Sequence, residues 1–178
     1  MVISGWTWRL DQWLSDVANM MACSIIGSRI DYCNSLVIGI SQQNLDRLQR
    51  VHNKAALIVC NASRHMPSSD LLYSLHCLRV RRRIHFKTAS LCFKAVKLGT
   101  PPYLKSILQP YNPVHSLRSS SIDMLTVSRT GTSLWSRRFS VTGPQIWNGL
   151  PHELWQCNTL PGFKSPLKTH DFRCHMDK

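Results

Sequence analysis

Apolar residues recur along this chain at helical intervals. Leu10, Trp13, Leu14, Val17 and Met21 fall three and four positions apart, which predicts a helix over residues 8 to 28. Gly39 and Ser41 then close one element and open the next. From there Leu45, Leu48, Val51, Ala55 and Ile58 form an apolar stripe, while Arg47, Arg50 and Lys54 gather on another face of the same helix. The run Pro67-Ser68-Ser69-Asp70 supplies a turn and a cap ahead of Leu71, Leu72 and Leu75. The clearest helix spans about residues 79 to 98 and is closed by Gly99 and the Pro101-Pro102 pair. Its Arg79, Arg83, Lys87, Lys94 and Lys97 occupy an arc of roughly 80°, with Val80, Ile84, Leu91, Phe93 and Ala95 spread over the remainder. So wide an apolar surface marks the central helix of a bundle.

After Tyr111 the pattern changes. "YNPVHSLRSSSIDMLTVSRTGTSLWSRR" is rich in Ser, Thr and Arg, with only short strand-like runs such as Met124 to Val127, and reads as a loop or small hairpin. In "FSVTGPQIWNGLP", Thr142 can cap, Gly143-Pro144 can start a helical turn and Pro151 can stop it. Phe139, Ile146, Trp147 and Leu150 would then dock on the helical core, with Trp147, Pro144 and Leu150 as structural residues. In the tail "LPGFKSPLKTHDF", Pro161, Gly162 and Pro166 interrupt a helix-like pattern. The expectation is a mainly α protein: a small helical bundle followed by an irregular, partly β extension. Its divisions are an unmatched leader at 1–16, a helical domain at 17–110 and an extension at 111–178 with a loop or hairpin and the Trp147 segment.

Charge narrows the partner. The 178 residues carry 22 Lys and Arg against 9 Asp and Glu, a formal charge of +13. That balance points to polyanions, nucleic acid before an anionic membrane surface. Between Asp70 and Asp123 there are nine Lys or Arg and no carboxylate, so the positive potential is expected there. The 43% hydrophobic fraction supports a packed interior. Seven scattered cysteines without a CxxC pair fit a reducing compartment better than a disulfide framework. Acidic Asp11 and Asp16 among the N-terminal tryptophans do not suit a signal peptide, and Arg29 and Asp31 break the most apolar window, so no membrane span is expected. The expected location is intracellular, and Asn61-Ala62-Ser63 is then a chance match to a glycosylation acceptor.

Catalytic patterns are scarce. Two-metal phosphoryl or nucleotidyl transfer needs converging carboxylates, and no two acidic residues here are closer than five positions. No nucleophile elbow or glycine-rich phosphate loop is present, and His76-Cys77 reads as packing. His152, Cys157, His170 and Cys174 have zinc-like intervals without a Cys pair, which leaves a zinc-stabilised module open beside chance spacing. No cofactor, metal or small-molecule substrate is therefore expected. Arg118 amid serines, and the mixture of Trp and Arg in residues 129 to 147, suit backbone contacts to a nucleic acid and base stacking. Core packing competes for Trp135 and Trp147, and is the favoured role for Trp147, flanked by Ile146 and Leu150.

Six blocks stand in a telling order: "SRIDYCNSL" (28–36), "LDRLQRVHNKAALIV" (45–59), "LHCLRVRRRIHFKTASLCFKAVKLGTPPYL" (75–104), "SLRSSS" (116–121), "FSVTGPQIWNGLP" (139–151) and "FKSPLKTH" (163–170). Together, over about residues 17 to 172, they resemble the C-terminal end of non-LTR, LINE-type (CR1/L2-like) retrotransposon reverse transcriptases. The resemblance implies a helical thumb and the region beyond it, which hold template and growing duplex, without the catalytic palm, fingers or endonuclease. It implies a non-catalytic fragment of an RNA-directed DNA polymerase that binds RNA or an RNA/DNA hybrid nonspecifically through Arg47, Arg50, Lys54, Arg79, Arg83, Lys87, Lys94, Lys97 and Arg118. Pro161, Gly162 and Pro166 depart from a continuous helix expected around "FKSPLKTH", and residues 1 to 16 match nothing; both imply a decaying copy translated from an internal Met. The rival expectation is a domesticated module whose former palm-docking surface binds a protein partner, the missing palm or another.

Overall fold

The computed structural model describes residues 13, 17, 21, 24, 25, 27–29, 31, 32, 38–63, 65–112, 124–132 and 134–176. The protein is mainly helical, and the described positions between 13 and 32 are helical, in keeping with the periodicity there. Downstream come α1 (Gln42–Val59), α2 (Ser68–Ser74), α3 (Val80–Lys97), α4 (Pro102–Ile107), a 3-10 turn (Trp135–Arg137), α5 (Phe139–Asn148), α6 (His152–Trp155) and α7 (Leu160–Met176). The chain divides into two compact units, one comprising residues 1–33 and 40–81, the other 34–39 and 82–178. The division falls in the first turn of α3, and residue 110 lies inside the second unit.

In the first unit, Ser41 caps α1 by accepting the Asn44 N–H at 3.4 Å. The helix ends in a left-handed turn at Asn61 (φ 45°), where the Ala62 N–H reaches back to the Leu57 carbonyl at 3.0 Å. His76 (φ 52°) closes α2 in the same way, with Cys77 N–H donating to the Leu72 carbonyl at 2.8 Å. Among the described residues of this unit Ala56, Leu71 and Leu72 form one buried cluster, against which Leu57, Cys60, Ala62, Leu75 and Cys77 pack, and Leu78 and Val80 are buried as well. The buried line of α1 runs through His52 and Ala56. It is therefore displaced from the apolar stripe expected from sequence, and Val51 and Ile58 stand 62% and 80% exposed. The short α2 covers only one line of a wider apolar arc. Gln49 of α1 caps α3, its Oε1 accepting the Val80 N–H at 2.9 Å.

The second unit is built around α3, whose Ala89, Cys92, Phe93 and Ala95 are fully buried. Phe163 of α7 stacks on Phe93 at 4.5 Å between centroids, and Trp147 of α5 lies 6.1 Å from Phe163 and 6.4 Å from Trp155. Leu104, Leu108, Leu125, Leu150, Leu154 and Leu167 complete this core. Gly143 permits the approach of α5, because a Cβ there would lie 3.2 Å from Cys92 Sγ.

The extension differs from the irregular, partly β segment expected. Residues 139–148, 152–155 and 160–176 are helical, and among the described residues β pairing is reduced to one isolated bridge between Pro110 and Leu125. The helix breakers are accommodated locally. Pro161 sits in the first turn of α7, where its missing N–H would have no helical partner. Thr159 Oγ1 accepts the Gly162 N–H at 3.3 Å, a side-chain cap on the first turn of the helix. Pro166 inside the helix leaves the Gly162 carbonyl without its usual donor, and the Cys157 thiol donates to it at 3.6 Å. In α5 the helix starts at Phe139, so Thr142 is interior, with its hydroxyl donating to the Arg138 carbonyl at 3.0 Å, and Pro144 is buried within the helix. Asn148 then takes the place of a strand neighbour: its Oδ1 accepts the Leu125 N–H at 2.9 Å and its Nδ2 donates to the Leu125 carbonyl at 2.8 Å.

Candidate nucleic-acid interface

The periodicity of α1 puts Arg47, Arg50 and Lys54 within an arc of about 60°, on the side away from the buried His52 and Ala56. All three are exposed, as is Arg79 in the same unit. Among the described residues none of the four forms an ion pair. Asp46, the nearest carboxylate in sequence to this face, accepts a hydrogen bond from Gln42 Nε2 at 2.7 Å. Unpaired guanidinium and ammonium groups on one helical face are suited to successive phosphates.

In the second unit Arg83, Lys87, Lys94 and Lys97 lie along the least buried arc of α3, where only Lys97 is exposed and the other three are half-buried. Half-burial is ordinary for long cationic side chains on a central helix, whose stems can cover apolar surface while the charged end stays solvated. Arg118 lies outside the described residues. The two tryptophans separate cleanly: Trp147 is fully buried with Pro144 and Leu150 in the core, its carbonyl accepting Trp155 Nε1–H at 3.1 Å, whereas Trp135 is 49% exposed. The Arg138 guanidinium lies 3.1 Å from the Trp135 ring centroid.

One charged cluster has no local spacing by which the sequence could announce it. Asp171 of α7 is fully buried, and His85 Nδ1 of α3 stands 3.0 Å from its Oδ1 and 3.3 Å from its Oδ2. Arg82 Nη1 stands 3.8 Å and His170 Nδ1 3.9 Å from the same Oδ1. The arrangement ties the end of α7 to the start of α3 across a separation of 86 residues, and its partly buried partners match the requirement that an internal carboxylate be compensated.

Burial pushes the Cys92 thiol up to about 12, which keeps it protonated and inert at neutral pH. The zinc-like quartet is not gathered: His152 packs edge-on against Trp155 at 5.8 Å, Cys157 is turned to the Gly162 carbonyl and His170 toward Asp171. The Cys174 side chain lies outside the described residues, and among those described no three His, Cys, Asp or Glu side chains cluster in a way that could hold a metal. No described helix is long and apolar enough to cross a membrane. No protein-family model, curated protein or solved structure matches this chain.

Proposed function

We propose that this chain is a non-catalytic C-terminal fragment of a retrotransposon RNA-directed DNA polymerase, a thumb-like helical bundle with its following region, which binds RNA or an RNA/DNA hybrid through the backbone without sequence preference. The observation that carries the binding is the exposed set Arg47, Arg50, Lys54 and Arg79, none of which forms an ion pair among the described residues, in a chain of net charge +13. The parentage rests on the six ordered sequence blocks. Reading the transcript in frame upstream of the Met1 codon tests it, since a palm with paired aspartates belongs there in such an element.

Binding is tested by fluorescence anisotropy of the full chain with a labelled RNA and an RNA/DNA hybrid over a salt series. The log affinity should fall linearly with log salt, by about 0.7–0.9 for each phosphate neutralised. Charge reversal at Arg47, Arg50 and Lys54 together should reduce that slope by about 2 to 3. Salt-independent binding, or none at low salt, overturns the reading. A specific observation favours a second one, a protein-interaction module: Val51 and Ile58 stand exposed beside the basic face of α1. Saturable binding to one protein with negligible affinity for nucleic acid would select it.

A further inference from the structure

Trp135 and Arg138 are three residues apart on a 3-10 turn, a geometry in which side chains at that spacing eclipse one another. The Arg138 guanidinium carbon consequently lies over the indole, 3.1 Å from its centroid, yet the tryptophan is 49% exposed. Hydrophobic burial does not explain this ring, because neighbouring Leu134 is itself 74% exposed.

The platform is held from beneath. The Arg138 carbonyl accepts hydrogen bonds from Val141 N–H at 3.0 Å, Thr142 N–H at 2.9 Å and the Thr142 hydroxyl at 3.0 Å, and Val141 and Thr142 are buried in α5. Trp135 is tied into the same turn, its carbonyl accepting Arg138 N–H at 3.2 Å. The stem of exposed Arg137 lies over Gly39 (φ +74°) so closely that a Cβ there would stand 2.7 Å from Arg137 Cγ. No residue from 124 to 152 is acidic, while Arg129, Arg137 and Arg138 are all present and exposed.

We infer that Trp135, backed by Arg138, is a stacking site for an unpaired nucleobase of single-stranded nucleic acid, with Arg137 and Arg129 available to the flanking phosphates. The charge balance selects this occupant: an exposed indole with cations and no carboxylate meets both the π face and the anionic backbone of a single strand. A guanidinium on one side of the indole strengthens the platform and limits the ring's motion, so little ordering cost is left for the base. The inference rests on the proposed nucleic-acid reading and adds a base-dependent contribution to the backbone binding assigned to α1.

The test compares a labelled 12-nucleotide oligouridylate with an abasic sugar-phosphate strand of equal length, using the full chain at one fixed low salt concentration. The wild type should prefer the base-bearing strand by about tenfold, the effect of one stacked base. Trp135→Ala should abolish that preference while leaving affinity for the abasic strand unchanged, and Trp135→Phe should retain most of it. A wild type without base preference, or a preference that survives in Trp135→Ala, overturns the stacking site while leaving backbone binding intact. Failure of both strands to bind removes the backbone reading and the stacking site together. Trp135-dependent binding to phosphatidylserine vesicles with equal affinity for the two strands would reassign the platform to a lipid surface.

Discussion

The two units bury apolar side chains in contrasting ways. In the second, Trp147, Phe93 and Phe163 are wholly enclosed around α3, and Trp155 hydrogen-bonds the Trp147 carbonyl while stacking near its ring. In the first, the described buried apolar residues Ala56, Leu71, Leu72, Leu78 and Val80 are all aliphatic, while Val51 and Ile58 stand exposed on the helix that carries Arg47, Arg50 and Lys54. The second unit is therefore packed around enclosed aromatic rings and the first around smaller aliphatic side chains, while each leaves apolar residues beside its cations, Val51 and Ile58 in the first and Leu134 and Trp135 in the second. Large aromatic side chains contribute most where they are fully enclosed, so stability should be most sensitive in the second unit.

The sharpest break of that contrast is Trp147→Ala. Removing a fully buried indole that touches both Trp155 and Phe163 leaves a cavity under α5, with an expected loss of about 3–5 kcal/mol, read as a lower urea midpoint with loss of protection at α5 and α7 in hydrogen exchange. Leu72→Ala is the matching change in the first unit. Its expected cost is about 2–3 kcal/mol, the lower part of the range for buried leucines, because a leucine leaves a smaller gap than an indole and flexible aliphatic neighbours partly close it. If hydrogen exchange placed the larger loss at Leu72, the contrast between the units would be inverted.

Sequence reasoning reached some of these features and missed others for physical reasons. The cap at Ser41 and the stop at Gly99 with Pro101-Pro102 depend on local backbone chemistry, so they were legible, whereas Ser68, Ser69 and Asp70, expected as a turn and cap, are the first turn of α2, whose N-cap Pro67 offers no side-chain bond. The burial of Trp147 was legible from its apolar neighbours, and the basic arcs of α1 and α3 from helical period. The extension was misread because Pro144, Pro166 and Gly162 break helices by rule, and what rescues them is nonlocal or unusual: a Cys157 thiol on an orphaned carbonyl, a Thr159 hydroxyl at a glycine, a tight approach of Gly143 to Cys92. The His85–Asp171 contact joins residues with no common spacing, and the Asn148 clamp on Leu125 replaces strand pairing by a single side chain. Within the candidate site, the three-residue interval of Trp135 and Arg138 was visible, but its stacking required the turn to be 3-10.

Cys92 sharpens the comparison through pH. Its thiol is raised from 9.0 to about 12 by burial, so between those values the unfolded chain releases a proton that the folded protein retains. The stability associated with the protonated thiol is therefore complete below about pH 9 and is lost as pH rises toward 12, at up to about 1.4 kcal/mol per pH unit. Comparing wild type with Cys92→Ala between pH 8 and pH 10 isolates this contribution from the lysines and tyrosines common to both. The difference in stability should change by about 1 kcal/mol over that interval; an unchanged difference would mean that the core at Cys92 admits water.

The smallest stability effect is expected at Ile58. At 80% exposure its side chain has little burial to lose, so Ile58→Ser should alter unfolding free energy by less than about 0.5 kcal/mol. The same substitution discriminates between the two uses of the α1 face. If phosphates alone engage it, polyanion affinity and its salt slope should stay unchanged, because Arg47, Arg50 and Lys54 remain in place. If affinity for a protein partner drops while the folded state is equally stable, the exposed apolar positions are part of a docking surface, and the contrast between the units becomes one between a packed core and an unpacked interface.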